Sequence, residues 1–221
     1  MPDDQLTLYT YWRSSAAYRV RIGLNLKGLP YQTVPVHLVR NGGEQHAPGY
    51  AAANPQKLVP MLEHGQRRMR QSLAILEYLD EVWPDPPLLP ESARRRQRVR
   101  ELAQVVAADI HPLNNLRVMR FFDQEWNVPQ PERDAWMRHW MAEGFAALEA
   151  LVADSPCTGE FCEGDTPTLA DCCLVPQLYN ARRFSVDLEP YPTLCRIEAA
   201  CLALPAFDAA RPENQPDAPQ T

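Results

Sequence analysis

The 221-residue chain has no apolar run of about 18 residues or more, the length a helix needs to cross a bilayer, so no membrane span is expected. Its acidic opening, Met1-Pro2-Asp3-Asp4, is not followed by an apolar stretch, and no secretory or transit segment is expected. The six cysteines include no Cys-x-x-Cys pair, and the histidines do not gather with them, which argues against zinc or any other resident metal. Cys172-Cys173, Cys195 and Cys201 lie in helix-like apolar surroundings and read as buried free thiols of a reducing cytoplasm. A basic excess is missing too: 22 Lys/Arg against 28 Asp/Glu leave a net charge of −6, which excludes nucleic acid as the expected partner. There is no internal repeat and no low-complexity tract.

What charge there is divides unevenly. Residues 1–84 carry nine Lys/Arg and seven Asp/Glu, and the remainder 13 and 21, so the net charge is +2 in the first part and −8 in the second. An anionic ligand must therefore rely on local arginines. Hydrophobic residues at 45% and charged residues at 23% are ordinary for a globular chain, and the length allows one large domain or two modest ones. The 22 prolines are dispersed and punctuate segments.

Leu6 to Tyr11 alternates as a half-buried strand. Ala17, Val20 and Leu24 share one face of a helix that Gly28 stops. Tyr31 to Val36 is a second strand, close enough for a parallel crossover. A polar loop, Arg40 to Glu44, leads to a short helical piece from His46 to Ala53. Met61-Leu-Glu63 and Arg67 to Arg70 form a hairpin around His64-Gly65, and a helix from Ser72 ends at Trp83-Pro84. Pro84 to Pro90 reads as a linker, and all strand signals precede it. Beyond it the period is helical: Glu91 to about Phe122 with a bend at His111-Pro112, Pro131 to Val152, Thr168 to about Arg183 behind a capping-box-like start, and Tyr191 to Leu202. The tail from Arg211, rich in Pro, Gln and Asp, is expected to be loosely ordered. The expected fold is an α+β domain over residues 1–84, a Pro-rich linker over 85–90 and an all-α domain over 91–221.

Chemistry concentrates where the first strand meets the first helix, at Tyr11-Trp-Arg-Ser-Ser15. Ser14 and Ser15 stand where hydroxyls cap free N–H groups. The same N–H groups and the helix dipole favour a negative charge, and a serine hydroxyl there can donate to a thiolate and keep it ionised. Asn54-Pro-Gln-Lys-Leu-Val59-Pro60 enters the third strand through a proline, with a cis Val59–Pro60 bond as the sharper reading. Gln71-Ser72 opens a helix, where Ser72 is either an N-cap or a carboxylate ligand.

This order of elements resembles the cytosolic glutathione transferase superfamily over roughly residues 5 to 217. Arg13-Ser-Ser-x-x-x-Arg-Val-Arg-Ile22, Asn54-Pro-x-x-x-Val-Pro60, Gln71-Ser-Leu-Ala-Ile-Leu-Glu77, Gly164-Asp-Thr-Pro-Thr-Leu-Ala-Asp171, Leu174-Val-Pro-Gln177 and Val186-Asp-Leu-x-Pro-Tyr-Pro192 look specifically like its zeta class. That class includes maleylacetoacetate and maleylpyruvate isomerases. Asp109-Ile-His-Pro-Leu-Asn-Asn115 and Ala181-Arg-Arg-Phe184 are similar to the bacterial maleylpyruvate isomerase branch. The resemblance implies a thioredoxin-like first domain and an all-helical second one, glutathione as cofactor, and a homodimer. It implies that Ser14, with Ser15 beside it, meets the glutathione thiolate, that the Val59 backbone pairs with the cysteinyl unit, and that Gln71 and Ser72 hold the γ-glutamyl end. His111 and Asn115, read as one helical turn apart, would join the cofactor site. Thr168 and Asp171 are structural, and Arg19 and Arg21 are also read as structural. The class pattern Ser-Ser-Cys has Ala16 at its third position here.

A small dicarboxylate substrate calls for arginines, which grip carboxylates bidentately and stay charged. Arg13 is the candidate beside Ser14, and Arg117 and Arg183 are the candidates the resemblance places across the substrate cleft. Reversible thiolate addition to a conjugated C=C permits rotation and returns the cofactor. The alternative activity is a glutathione transferase or dehalogenase acting on small α-halo acids, and a third reading is a glutathione-fold protein that binds without turnover.

Overall fold

The computed structural model describes residues 5–219. The chain divides into two compact units, one running to Leu88 and resuming at Ala203, the other spanning Leu89–Leu202.

The first unit is built on a four-stranded sheet of order β2-β1-β3-β4. β1 (Leu6–Thr10) turns Leu6, Leu8 and Thr10 inward, as its alternation predicts. α1 (Ser15–Leu26) starts where the Ser14 Oγ accepts the Ala17 N–H at 3.2 Å. It stops at Gly28, whose φ of 61° lets the Leu29 N–H reach back to the Leu24 carbonyl at 3.0 Å. α1 returns the chain to β2 (Tyr31–Pro35), which lies parallel to β1. Two short 3-10 turns and α2 (Pro48–Ala53) follow. A cis Val59–Pro60 bond then leads into β3 (Met61–His64), antiparallel to β1 with Leu62 opposite Leu8. β4 (Arg67–Arg70) closes the hairpin, and α3 (Ser72–Val82) begins directly after it. Val20 and Leu24 of α1, Ile75 and Leu79 of α3, and Leu6, Leu8 and Leu62 of the sheet form one buried cluster. Each such side chain contributes about 1.5–3 kcal/mol relative to exposure.

The Pro-rich stretch after Trp83 is anchored and is not a free linker. Lys27 Nζ donates to the Trp83 carbonyl at 2.6 Å, the Pro86 carbonyl at 2.9 Å and Asp80 Oδ1 at 2.9 Å. The same Asp80 oxygen takes the Leu88 N–H at 2.6 Å, and Leu88 and Leu89 are buried. The Asp85–Pro86 bond is also cis.

The expected domain boundary at the C-terminal end moves for a related reason. α9 (Pro205–Ala210) packs on α1, so the chain from Ala203 groups with the first unit and not with the helical one. Nor is the tail loose. Arg21 Nε donates to the Ala210 carbonyl at 3.0 Å, Asn25 Nδ2 donates to the Ala206 carbonyl at 3.0 Å, and a 3-10 turn spans Pro212–Asn214. Gln215 is buried and donates to the carbonyls of Ala209 at 3.0 Å and Arg211 at 2.8 Å. Side-chain donors that find backbone carbonyls offset a polar composition that reads as disordered.

The second unit is all-helical: α4 (Ala93–Gln104), α5 (Leu116–Gln124), α6 (Gln130–Ala153), α7 (Leu169–Arg183) and α8 (Pro192–Leu202). The expected single helix from Glu91 to Phe122 is broken. α4 passes into a π-helical turn, Val105–Ile110, and the His111 N–H bonds the Val106 carbonyl at 2.9 Å, five residues back. Pro112 has no N–H to continue the ladder, and Asn115, extended at φ −69° and ψ 143°, caps a new helix. α7 is buried on every side through Leu178, as a helix apolar all round should be. Its capping box is present: Asp171 accepts the Thr168 N–H at 2.7 Å, and Thr168 accepts the Ala170 N–H at 3.3 Å. Among the described residues no helix is long and apolar enough to cross a membrane.

Candidate active site

Ser14 sits at the carboxyl end of β1, where parallel-sheet folds offer backbone N–H groups to ligands. Its Oγ already accepts the Ala17 N–H, and a hydroxyl has one proton to give, so that proton remains for another acceptor. Ser15 is the first residue of α1, whose first-turn N–H groups have no intrahelical partner. The Ser14 N–H closes a turn onto the Tyr11 carbonyl at 2.9 Å. Arg13 lays its guanidinium 5.3 Å from the centre of the Trp12 ring. That contact uses the π face and none of the five N–H donors.

Val59 is brought to the same place. It is buried with Tyr11, Val36, Tyr50 and Met61, and Trp12 and Leu38 pack against that cluster. The turn before the cis bond is braced by two donors on one carbonyl: Tyr50 Oη at 2.6 Å and Asn54 Nδ2 at 2.7 Å from the Leu58 oxygen. Burial pushes the Tyr50 phenol up, so it remains a donor at neutral pH.

Gln71 and Ser72 stand at the start of α3. Gln71 takes φ 70° and ψ 114°, a left-handed conformation that costs a non-glycine residue about 1–3 kcal/mol and persists only where its surroundings impose it. Its Nε2 donates to Gln56 Oε1 at 3.1 Å. The buried Ser72 Oγ accepts from Arg19 Nη1 at 3.2 Å, which turns the hydroxyl proton away from the guanidinium. A buried cation and a helix N-terminus thus stand together behind one hydroxyl, an arrangement that favours a carboxylate.

Two residues of this unit escaped the sequence reasoning. Arg19, read as structural, holds Ser72. Gln45, in a loop with no recognisable pattern, is buried with its Nε2 3.4 Å from the Leu38 carbonyl, and its Oε1 has no hydrogen-bond partner among the described residues. No periodicity or spacing could have found either one. A buried acceptor left open suits a ligand N–H.

In the helical unit, His111 follows the π turn, a distortion common at functional sites. His111 and Asn115 are not neighbours on one continuous helix, because the chain turns between them. Asn115 Oδ1 caps α5 by accepting the Arg117 N–H at 3.0 Å, and its amide N–H₂ remains a donor. Arg117 occupies the exposed first turn of α5, where helix dipole and side-chain charge have the same sign. Arg183 closes α7 with its guanidinium 4.7 Å from the Phe184 ring centre. The structure therefore joins the Tyr11–Ser15 turn to Val59 through the packing of Tyr11 and Trp12, sets Gln71 and Ser72 at one helix start, and sets His111, Asn115 and Arg117 close together in sequence around the start of α5.

Burial and the adjacent Asp171 hold the Cys162 thiol well above its ordinary range, the opposite of an activated nucleophile. Among the described residues no cysteine forms a disulfide, and Cys157 is exposed.

Comparison with known proteins places this geometry. Residues 8–87 match the glutathione S-transferase N-terminal domain. A probable maleylacetoacetate isomerase of Vibrio cholerae is 52% identical over 96% of this chain and 98% of its own length. The holo structure of a bacterial maleylpyruvate isomerase, described as a zeta-class glutathione S-transferase, superposes with a TM-score of 0.94 at 48% identity, covering 96% of this chain and 100% of that one. A maleylacetoacetate isomerase from Methylobacterium extorquens AM1, solved with bound malonate and glutathione, gives a TM-score of 0.93 at 43% identity, covering 97% of this chain and 100% of that one. With a thioredoxin-like sheet whose first strand leads to Ser14, an all-helical second unit and relatives of this identity along nearly its whole length, the chain belongs to the zeta-class glutathione transferase family of maleylacetoacetate and maleylpyruvate isomerases.

Proposed function

We propose that this protein is a glutathione-dependent cis–trans isomerase that converts a maleyl diketo acid, maleylpyruvate or maleylacetoacetate, to its fumaryl isomer. The observation that carries the reading is the Ser14 hydroxyl: it caps α1, keeps a proton to donate, and stands on the turn that follows Tyr11 and Trp12, which pack with Val59. The first unit's residues fit glutathione. Ser14 and the first turn of α1 suit a thiolate, the Val59 backbone suits an extended peptide, and the Ser72 hydroxyl with the α3 N-terminus suits a carboxylate. The open Gln45 Oε1 suits an amide N–H.

When bound, glutathione supplies a thiolate whose reversible addition to the conjugated C=C permits rotation to the trans form. The chain's own part is electrostatic and positional. Ser14 donates to sulfur and holds it ionised. Arg13, beside it, stabilises negative charge that develops on the substrate's conjugated oxygens. Arg117 and Arg183 are assigned to the substrate carboxylates, and His111 and Asn115 to the cofactor, on the chemistry of their side chains. Ala16 stands where the class pattern has cysteine, so no protein thiol takes part. The malonate held by a relative is a small dicarboxylate, which supports that substrate class over α-halo acids. A cytosolic homodimer accompanies this reading and is tested by sedimentation of the purified protein.

The deciding experiment follows the absorbance of maleylpyruvate and of maleylacetoacetate with and without glutathione. Conversion to the fumaryl product without net loss of glutathione is expected, and the faster substrate identifies the physiological one. Ser14→Ala is expected to lower kcat/KM on the order of 10²-fold, while Ser14→Thr, which keeps both cap and hydroxyl, retains most activity. Turnover unchanged in Ser14→Ala would overturn the assignment of Ser14. Glutathione consumed in proportion to product would favour the transferase.

A further inference from the structure

The loop that carries Ser14 is held from outside itself. The Tyr11 and Trp12 carbonyls accept from Arg21 Nη1 and Nη2 at 3.4 and 3.0 Å, and Arg21 Nη1 also reaches Thr10 Oγ1 at 3.1 Å. The Trp12 N–H donates to Asp217 Oδ2 at 2.9 Å, across 205 positions of sequence. Both backbone polar groups of Trp12, two residues before Ser14, are thus fixed by distant partners. The tail that presents Asp217 is itself tied down, by Arg21 Nε on the Ala210 carbonyl and by Gln215 Nε2 on the carbonyls of Ala209 and Arg211.

We propose that Asp217 is a positioning residue for the Ser14 loop, so that the last stretch of the chain completes the catalytic geometry of the first unit. The inference rests on the role assigned to Ser14 above. A charge-assisted hydrogen bond to a single backbone N–H fixes the orientation of a peptide plane more firmly than a neutral one. The carboxylate is a poor choice for stability alone. Its Oδ1 is buried with no hydrogen-bond partner among the described residues, and an unmet buried carboxylate oxygen costs free energy that an apolar side chain avoids. What the carboxylate adds is a strong, directional acceptor at Trp12. A loop misplaced by about 1 Å can lose catalysis on the order of 10²-fold, so a contact that contributes little to folding can still matter to rate.

The test uses the full-length protein with Asp217→Ala and Asp217→Asn. Three quantities are read: glutathione affinity by calorimetry, kcat at saturating glutathione and maleylpyruvate, and amide exchange at Trp12 and Ser14. Asp217→Ala is expected to lower kcat about 10-fold or more, to leave glutathione affinity within about threefold, and to speed exchange at both amides by about 10-fold. Asp217→Asn, whose side-chain oxygen can still accept the Trp12 N–H, is expected to restore kcat to within about twofold of wild type. Wild-type kcat and wild-type exchange in Asp217→Ala overturn the inference, as does Asp217→Asn falling as far as Asp217→Ala. If the wild-type protein binds glutathione without isomerising either substrate, the proposed reaction fails by itself, and exchange at Trp12 and Ser14 still decides whether Asp217 holds the loop.

Discussion

The two units bury an excess of opposite charges. The first encloses Arg19, Arg21 and Lys27, with Asp80 paired to Lys27, and the second encloses Glu163, Asp171 and Glu198. The buried cations work on the backbone around them: Arg21 binds three carbonyls and a hydroxyl, and Lys27 binds two carbonyls and Asp80. Asp171 is met by the Cys162 and Thr168 N–H groups, and the other two buried anions are met from the rim. Arg95 and Arg98 reach Glu163 at 2.7 and 2.5 Å, and Arg182 binds Glu198 with both terminal nitrogens at 2.5 Å. The difference follows from what each unit must hold. The irregular connections of the first unit leave carbonyls to satisfy inside, and cations do that. They also leave positive potential at two helix N-termini, the place proposed above for glutathione. Helices satisfy their own carbonyls, so the helical unit's interior charges serve to fasten loops to helices.

Removing a cation should therefore cost more than weakening an anion. Arg21→Met removes the Arg21 donors from the Trp12 and Ala210 carbonyls and leaves the Tyr11 carbonyl only the Ser14 N–H, and a loss of about 3–5 kcal/mol is expected by urea denaturation. Glu163→Gln, in contrast, keeps an acceptor for Arg95 or Arg98 and leaves Arg98 its bonds to the Cys162 carbonyl at 2.7 Å and to Thr158 Oγ1 at 2.9 Å. A loss of about 1–3 kcal/mol is expected there. Equal losses in the two variants would erase the distinction between the units.

Much of the first unit was legible in the sequence because its local signals agree with its packing. The alternation of Leu6 to Thr10, the Ser14 cap, the Gly28 stop and the Val59–Pro60 entry each have a one-residue physical cause that acts within a few positions. The capping box at Thr168 and Asp171 was legible for the same reason. What failed depends on partners far along the chain. Proline at 112 announced a bend, but a break into a π turn and a recapped helix depends on how the segment packs. The composition of the tail signals disorder, yet Arg21 and Asn25 supply donors that no local pattern reveals. Gln45 and Arg19 are the same case at the candidate site: their roles exist only once Leu38 and Ser72 are folded beside them.

Alkali offers a way to separate the buried thiols from the buried phenols by pH. Burial pushes the Cys162 and Cys201 thiols of the second unit above their ordinary value of 9.0, and the Tyr31 and Tyr50 phenols of the first unit above 10.0. The sign follows from proton counting. Above the unfolded-state value the unfolded chain has released a proton that the folded one still holds, so stability falls as pH rises. The contribution of each group is fully present below its unfolded value and is lost as pH climbs toward the folded one, at up to about 1.4 kcal/mol per pH unit per group. Stability is thus expected to decline first through the thiols, from about pH 9, and then through the phenols, from about pH 10. Cys201→Ala should reduce the slope between these values. A curve that stays flat to pH 10, or one with the same slope in Cys201→Ala, would remove the thiols from this account.

The smallest effect belongs to a charge pair that neither unit buries. Arg40 and Glu44 meet at 2.6 Å on the surface of the loop after β2, with the Arg40 side chain 63% exposed. The Glu44 carboxylate is held below its usual range first by the His37 N–H at 2.8 Å, and only then by Arg40. Water screens such a pair, so Arg40→Ala should cost less than about 0.5 kcal/mol. Glu44→Gln, which loses the charge that the His37 N–H favours, should cost more. A depressed carboxylate contributes stability above its unfolded value that is lost as pH falls through the folded one, so the gap between the two variants should close below about pH 4. If Arg40→Ala were the costlier of the two at neutral pH, surface pairing rather than the backbone contact would hold this loop, and the rule that this chain's charges act mainly through backbone partners would fail where it is cheapest to check.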